Sequence, residues 1–232
     1  MKHYLSSFHS LTSFERGLWL TSIAVTLLSY LLSYFLSGSS DFLNLAASLI
    51  GVTALIFVAK GHVLGQLLTV LFSVFYGIIS VLFSYYGEMI TYLFMTAPMA
   101  VVAAIEWIKH PYKDTEEVQV HHVTKKQLAL MTVLAFFVTL LFYFILKALG
   151  TANLMFSTLS ITTSFVASYL TYLRSPYYAI GYSFNDIVLI VLWVLASMEN
   201  LSYLPMVACF VMFLFNDLYG FYNWRKMQKR QN

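Results

Sequence analysis

Apolar stretches alternate with short polar breaks along almost the whole chain. The apolar runs predict helices at 18–36, 42–59, 63–83, 89–108, 127–147, 153–173, 178–198 and 203–222. Each is close to the roughly 20 residues that a helix needs to cross a bilayer. The breaks are SGSSD at 37–41, KGH at 60–62, YYGE at 85–88, GTAN at 150–153, RSP at 174–176 and MEN at 198–200. One break is longer and charged, KHPYKDTEEVQVHHVTKK at 109–126. The pattern is that of an all-α membrane protein with eight transmembrane helices. The first run is about 19 residues, longer than the 7–15 of a signal-peptide core, so it reads as a retained helix.

Composition agrees. Only 10% of residues are charged and 60% are hydrophobic, whereas a soluble domain carries about 25% charged residues. The charge distribution says more than the net value of +3. With eight spans both termini share a side, and that side collects Lys2, Arg16, Lys60, Lys109, Lys113, Lys125, Lys126, Arg174, Arg225, Lys226, Lys229 and Arg230. The other side keeps only Lys147. Basic residues stay cytoplasmic, which predicts cytoplasmic termini. The single Cys209 excludes a disulfide within the chain.

The spans also suggest a repeat. Spans two to four end in AIEWIKHPY with Trp107, and spans six to eight end in GFYNWRKMQ with Trp224. Superposing the tryptophans gives an offset of 117, which also pairs Tyr76 with Trp193, while Lys60 and Arg174 differ by 114. Both triplets start on the same side, so the repeats are parallel and the fifth span joins them. The expected organisation is an N-terminal region with an extra helix at 1–41, a first triplet at 42–108, a charged loop and linker helix at 109–152, and a second triplet with a basic tail at 153–232.

Two apolar segments carry an Asn-Asp pair, FNDIVLIVLWVL with Asn185, Asp186 and Trp193, and FLFNDLYGFYNW with Asn216, Asp217, Tyr219 and Asn223. Both pairs lie nine residues from a cytoplasmic marker, Pro176 or Arg225, or about 13 Å into the membrane. Polar groups at that depth need partners, water or a ligand. At about 100° per residue each helix presents amide, carboxylate and aromatic groups together. That set suits a small polar ring compound such as a nucleoside, and a cationic ring would gain most. The competing reading is interhelical hydrogen bonding that holds the bundle together. In the first triplet the candidates are Gln66, Thr69, Ser73, Tyr76, Glu88, Tyr92 and Thr96, and Pro98 marks a kink.

Other chemistry is not signalled. Both aspartates follow asparagine, unlike the motifs of intramembrane aspartyl proteases, and no G-x-S-x-G, H-E-x-x-H or Gly-rich phosphate loop occurs, so no enzyme is expected. His121 and His122 lack metal-ligand spacing; no metal or cofactor is expected. The terminal WRKMQKRQN suits anionic headgroups of the bilayer rather than nucleic acid. Transport would run down a gradient or with an ion. A scaffold or sensor that moves no solute is the alternative from another class.

AKGHVLGQLLTVLFSVFYGIISVLFSYYGEMITYLFMTAPM, RSPYYAIGYSFNDIVLIVLW and FNDLYGFYNWRKM together resemble the PnuC family of vitamin transporters, in particular its Gram-positive versions. The resemblance implies a three-one-three core related to the SWEET sugar transporters, here with an extra first helix, and a trimer. It implies facilitated uptake of nicotinamide riboside across a bacterial plasma membrane, with trapping by a separate kinase for NAD synthesis. Relatives of this fold carry thiamine, riboflavin or deoxynucleosides. Asn185, Asp186, Trp193, Asn216, Asp217 and Tyr219, followed by Asn223 and Gln66, are the expected substrate-binding residues. Trp193 would stack on the ring and an aspartate would balance its charge. Where some members carry W-x-x-W, this chain has Tyr178-Ala179-Ile180-Gly181.

Overall fold

The computed structural model describes residues 8, 10–37, 42–82, 86–151, 153–199 and 201–232. Lys2, residues 38–41 of the SGSSD break and residues 83–85 at the end of the third run lie outside them. Among the described residues the helices are α1 (Ser13–Ser37), α2 (Phe42–Ala59), α3 (Val63–Leu82), α4 (Tyr86–Thr91), α5 (Ala97–Lys109), α6 (Lys125–Ala148), α7 (Leu154–Tyr172), α8 (Tyr178–Glu199) and α9 (Leu204–Gln231). A π-helical turn, Tyr92–Thr96, joins α4 to α5, and these three pieces form one span. The total is eight membrane-spanning helices among the described residues.

Two ends differ from the sequence expectation for local reasons. Helix α1 starts five residues early because Thr12 and Glu15 cap it reciprocally: the Glu15 amide donates to Thr12 Oγ1 (3.2 Å) and the Thr12 amide to Glu15 Oε2 (2.7 Å). Helix α9 runs to Gln231, nine residues past the expected end at 222. The basic tail is therefore the last turns of a helix. At Pro98 the missing amide and the ring's clash with the preceding turn disturb the helix ladder, and the backbone answers with the π turn just before it.

Six helices close a ring. α2 packs on α3, α3 on α5, α5 on α7, α7 on α8, α8 on α9, and α9 returns to α2. α1 lies outside against α2 and α9, and α6 outside against α7. The lipid side of this arrangement is apolar, with Phe136, Phe137, Leu141 and Phe144 of α6 exposed. Polar residues sit inside, among them Gln66, Ser73, Ser80, Asn185, Asp186, Asn216 and Asp217. Many buried hydroxyls bond the carbonyl four residues back, as in Ser80 to Tyr76 (2.8 Å) and Thr171 to Ala167 (2.9 Å), which satisfies them without water.

The basic ends of α2 and α7 are built alike. Gly61 and Arg174 both have positive φ, +73° and +56°. The Gly61 amide bonds the Val58 carbonyl and the His62 amide that of Phe57 (both 2.9 Å); the Arg174 amide bonds Thr171 and the Ser175 amide bonds Leu170 (both 3.0 Å). Then Gly65 bonds back to His62, as Tyr178 does to Ser175. All these positions differ by 113, so the residue that matches Arg174 is Gly61 and not Lys60. Trp107 Nε1 of α5 donates to the Thr171 carbonyl of α7 (3.0 Å) and Trp224 Nε1 of α9 to the Val58 carbonyl of α2 (2.9 Å).

Candidate functional site

The ring encloses a polar cavity near its basic end. Gln66 and Thr69 of α3 face Asn185, Asp186 and Tyr182 of α8 and Asp217 of α9 across it, with Ser164 of α7 between. The π turn adds Tyr92 and Thr96, so the disturbance at Pro98 is what brings these two into the wall. Phe72, Phe210 and Phe213 supply the apolar part of the lining. Gly51 of α2 lets the Phe213 ring approach, since a Cβ there would lie 2.6 Å from Phe213 Cζ.

The polar groups are fixed from behind. Asn185 Oδ1 accepts from Ser160 Oγ and Thr163 Oγ1 of α7, both at 3.0 Å. Tyr182 Oη and Ser168 Oγ are 2.9 Å apart. Asp186 and Asp217 are each 3% exposed and face one another. The two carboxyl groups hydrogen-bond one another, and among the described residues Asp186 Oδ2 has no hydrogen-bond partner. Among the described residues no lysine or arginine lines the cavity. An unpartnered carboxyl oxygen buried in the membrane is costly unless a cation or donor can reach it.

Not every expected residue arrives here. Gln66, Asn185, Asp186 and Asp217 line the cavity; Asn216, Trp193, Tyr219 and Asn223 do not. Asn216 is turned the other way, toward α1, where its Nδ2 donates to Ser22 Oγ (3.0 Å) and to the Met212 carbonyl (2.7 Å). Tyr219 donates to Glu15 Oε1 on α1 (2.9 Å), and Asn223 Nδ2 to the Ala59 carbonyl at the end of α2 (3.0 Å). These three hold α1 and α2 against α9. Trp193 packs against Tyr203, with ring centroids 5.7 Å apart, and walls a wider vestibule of about 440 Å³ at the far end with Glu88 and Glu199. The cause is angular: residues one apart on a helix point about 100° from each other. Because α9 is sandwiched between α1 and the ring interior, Asn216 and Asp217 serve opposite sides.

Tyr92, Thr96 and Thr69 were readable as hydroxyls in an apolar triplet. Ser164 was not, since α7 contains many serines and threonines and nothing in their spacing singles one out.

Aromatic clusters flank the cavity at both ends. Toward the far side Phe72, Tyr76, Tyr92, Phe210 and Phe213 form an aromatic lattice, with Tyr76 and Tyr92 centroids 4.4 Å apart. Toward the basic side Trp107 and Trp224 (5.3 Å apart), Tyr178, Val118 and Met227 form a second plug. What remains is about 60 Å³, enough for a few waters, whereas ligand pockets take roughly 300–1,000 Å³.

A profile of the nicotinamide mononucleotide transporter family matches residues 41–226. The nicotinamide riboside transporter PnuC of Neisseria mucosa is 30% identical over 224 residues, spanning 93% of this chain and 85% of that protein.

The chain belongs to this family.

The transporter of the same name from Haemophilus influenzae is 25% identical over 200 residues, 85% of each chain. The crystal structure of the vitamin B3 transporter PnuC has the same fold, with a TM-score of 0.80 and 26% identity over 96% of this chain and 95% of that one. This member of the nicotinamide mononucleotide transporter family is thus a multi-pass membrane protein. The Tyr178-Ala179-Ile180-Gly181 stretch is not among the residues that line the cavity. Tyr178 is fully buried in the basic-side plug, edge-on to Trp224 at 5.0 Å, and a Cβ on Gly181 would lie 3.0 Å from Ala167. Neither position can stack on a solute in the cavity; Tyr92 and Tyr182 are the polar aromatic groups that line it.

Proposed function

We propose that this chain facilitates uptake of nicotinamide riboside across the bacterial plasma membrane, down its gradient, with both termini cytoplasmic and a separate kinase trapping the vitamin for NAD synthesis. The observation that carries this reading is the pairing of Asp186 and Asp217 in a cavity that, among the described residues, no basic side chain lines. A cationic pyridinium nucleoside supplies the missing positive charge, and its hydroxyls and carboxamide match Asn185, Gln66, Thr69 and Thr96. Asn185 already uses its amide oxygen on α7, which leaves its amide nitrogen for a ligand acceptor. Tyr92 and Tyr182 offer ring faces.

Alternating access follows if the two triplets are parallel repeats that rock about the cavity. The matched turns at Gly61 and Arg174 and the exchanged bonds of Trp107 and Trp224 support that reading. The relatives named above carry the same vitamin in their names. The deciding experiment is uptake of labelled nicotinamide riboside into liposomes that hold only the purified protein, with thiamine and riboflavin as competitors and no ion gradient. Saturable uptake blocked only by unlabelled riboside is expected. Entry of thiamine or riboflavin instead would move the substrate and keep the transporter; no uptake of any of them would overturn the proposal.

A further inference from the structure

The loop at 109–126 carries a role that its solvated appearance in the sequence does not suggest. It leaves α5, folds back over the basic end of the ring and crosses from one triplet to the other before α6 begins. Val118 is 1% exposed and packs with Trp107, Trp224 and Met227. Its amide donates to the Gly61 carbonyl (2.9 Å), and three residues later the His121 amide donates to the Arg174 carbonyl (3.0 Å). Gly61 and Arg174 are the matched positive-φ residues at the ends of α2 and α7. The loop therefore grips the same point on each triplet.

Its attachment is lopsided. At its start it is continuous with α5, and the Gln119 amide bonds the His110 carbonyl (2.8 Å). Its hold on the second triplet is non-covalent and clip-like. Gln231 at the end of α9 brackets it with both side-chain atoms: Oε1 accepts from the Val120 amide (2.7 Å) and Nε2 donates to the Val118 carbonyl (3.2 Å). Arg230 pairs with Glu117, and His122 meets Asn232 (3.0 Å) and Gln228 (3.4 Å). Thr124 and Gln127 then cap α6 and fix where the loop ends. This explains why α9 outruns the membrane: its last turns are the receptor for the clip.

We propose that this strap is the inner latch of the carrier, holding the two triplets together at the basic end and letting go of α9 and Arg174 when the cavity opens to that side. The reason is length. Three residues between the Val118 and His121 amides span at most about 10 Å. With hydrogen bonds of 2.9 and 3.0 Å at its two ends, the strap keeps the Gly61 and Arg174 carbonyl oxygens from moving apart beyond about 16 Å while both bonds hold. Opening of the Trp107–Trp224 plug below the strap needs such a movement.

The test ties the strap to α9 in the full chain. H122C/Q228C places two thiols on side chains that already touch, for reversible joining by a short bifunctional thiosulfonate; Cys209 is buried and stays in place. A third thiol, T69C, reports on the cavity. In oriented proteoliposomes, joining should cut modification of the T69C thiol by an impermeant reagent from the basic side at least tenfold, and in H122C/Q228C without T69C it should stop uptake of labelled nicotinamide riboside. Reductant should restore both. E117A/Q231A, which removes the clip without a cross-link, should raise the basic-side modification. Complete joining with unchanged modification of T69C, or with continued uptake, would overturn the latch. This uptake arm rests on the proposed substrate, but the thiol arm does not. Blocked modification in a protein that never takes up the riboside would leave the latch standing and defeat the substrate.

Discussion

The two Asn-Asp pairs are the same dipeptide at similar depth in adjacent helices, yet they do different things. Asn185 and Asp186 of α8 both face the cavity, with Asn185 steadied from α7. In α9 only Asp217 does so, and Asn216 is spent on Ser22 and on its own backbone. What differs is the far side of each helix. α8 shows part of its surface outward, with Phe184 and Ile187 exposed, so its polar residues have one place to go. α9 has α1 behind it, with Ser22 and Glu15 ready as partners. The aspartate of each pair reaches the cavity; Asn185 reaches it too while bonded to α7, whereas Asn216 turns to α1.

The largest effect should come from the aspartates. Asp186→Asn and Asp217→Asn should each weaken riboside binding by roughly tenfold to a hundredfold, the range of about 1.5–3 kcal/mol for a hydrogen bond to a charged group, with titration calorimetry as the measure. If only one of the two matters, the symmetric part of the comparison breaks. Next come the amides. Asn185→Ala should lower affinity about tenfold, while Asn216→Ala should leave affinity unchanged and lower thermal stability by roughly 1–2 kcal/mol. Equal loss of affinity in both would mean that α1 is not what sets them apart.

A third pair of variants probes the exchanged tryptophan bonds. Trp107→Phe and Trp224→Phe each remove one of the two hydrogen bonds to a buried carbonyl, Thr171 or Val58, which keeps its turn amide as a partner, at a cost of about 0.5–1.5 kcal/mol. Similar losses in thermal unfolding would show that the two triplets bear on each other equally. Unequal losses would assign the weight to one seam.

The smallest effect is expected at His62, in the turn before α3. Burial lowers its pKa below the usual 6.5, the nearby Glu116 pulls it part of the way back, and Lys60 lowers it slightly. The folded protein thus binds its proton less readily than the unfolded chain, and stability should fall as pH drops through the range just below 6.5. Melting curves between neutral and mildly acidic pH should show this loss, and it should shrink in His62→Asn. No difference between the two proteins would remove His62 from the account.

The number of spans, their alternation and the concentration of basic residues at one end were set by the sequence alone, because a bilayer enforces length and polarity on every crossing whatever the neighbours are. The same rule flagged the Asn-Asp pairs, since polar atoms at that depth need a stated purpose. Their division of labour was decided by tertiary structure. Whether Asn216 turns to a ligand or to Ser22 depends on where α1 docks, and no periodicity within α9 carries that information. The loop at 109–126 and the end of α9 show the same limit. The first read as a charged loop and the second as a basic segment suited to anionic headgroups, and only their meeting across the basic end of the ring, through backbone amides and one glutamine side chain, turned them into a single element. Backbone hydrogen bonds between distant segments leave no residue-type signature, so the fold had to supply them.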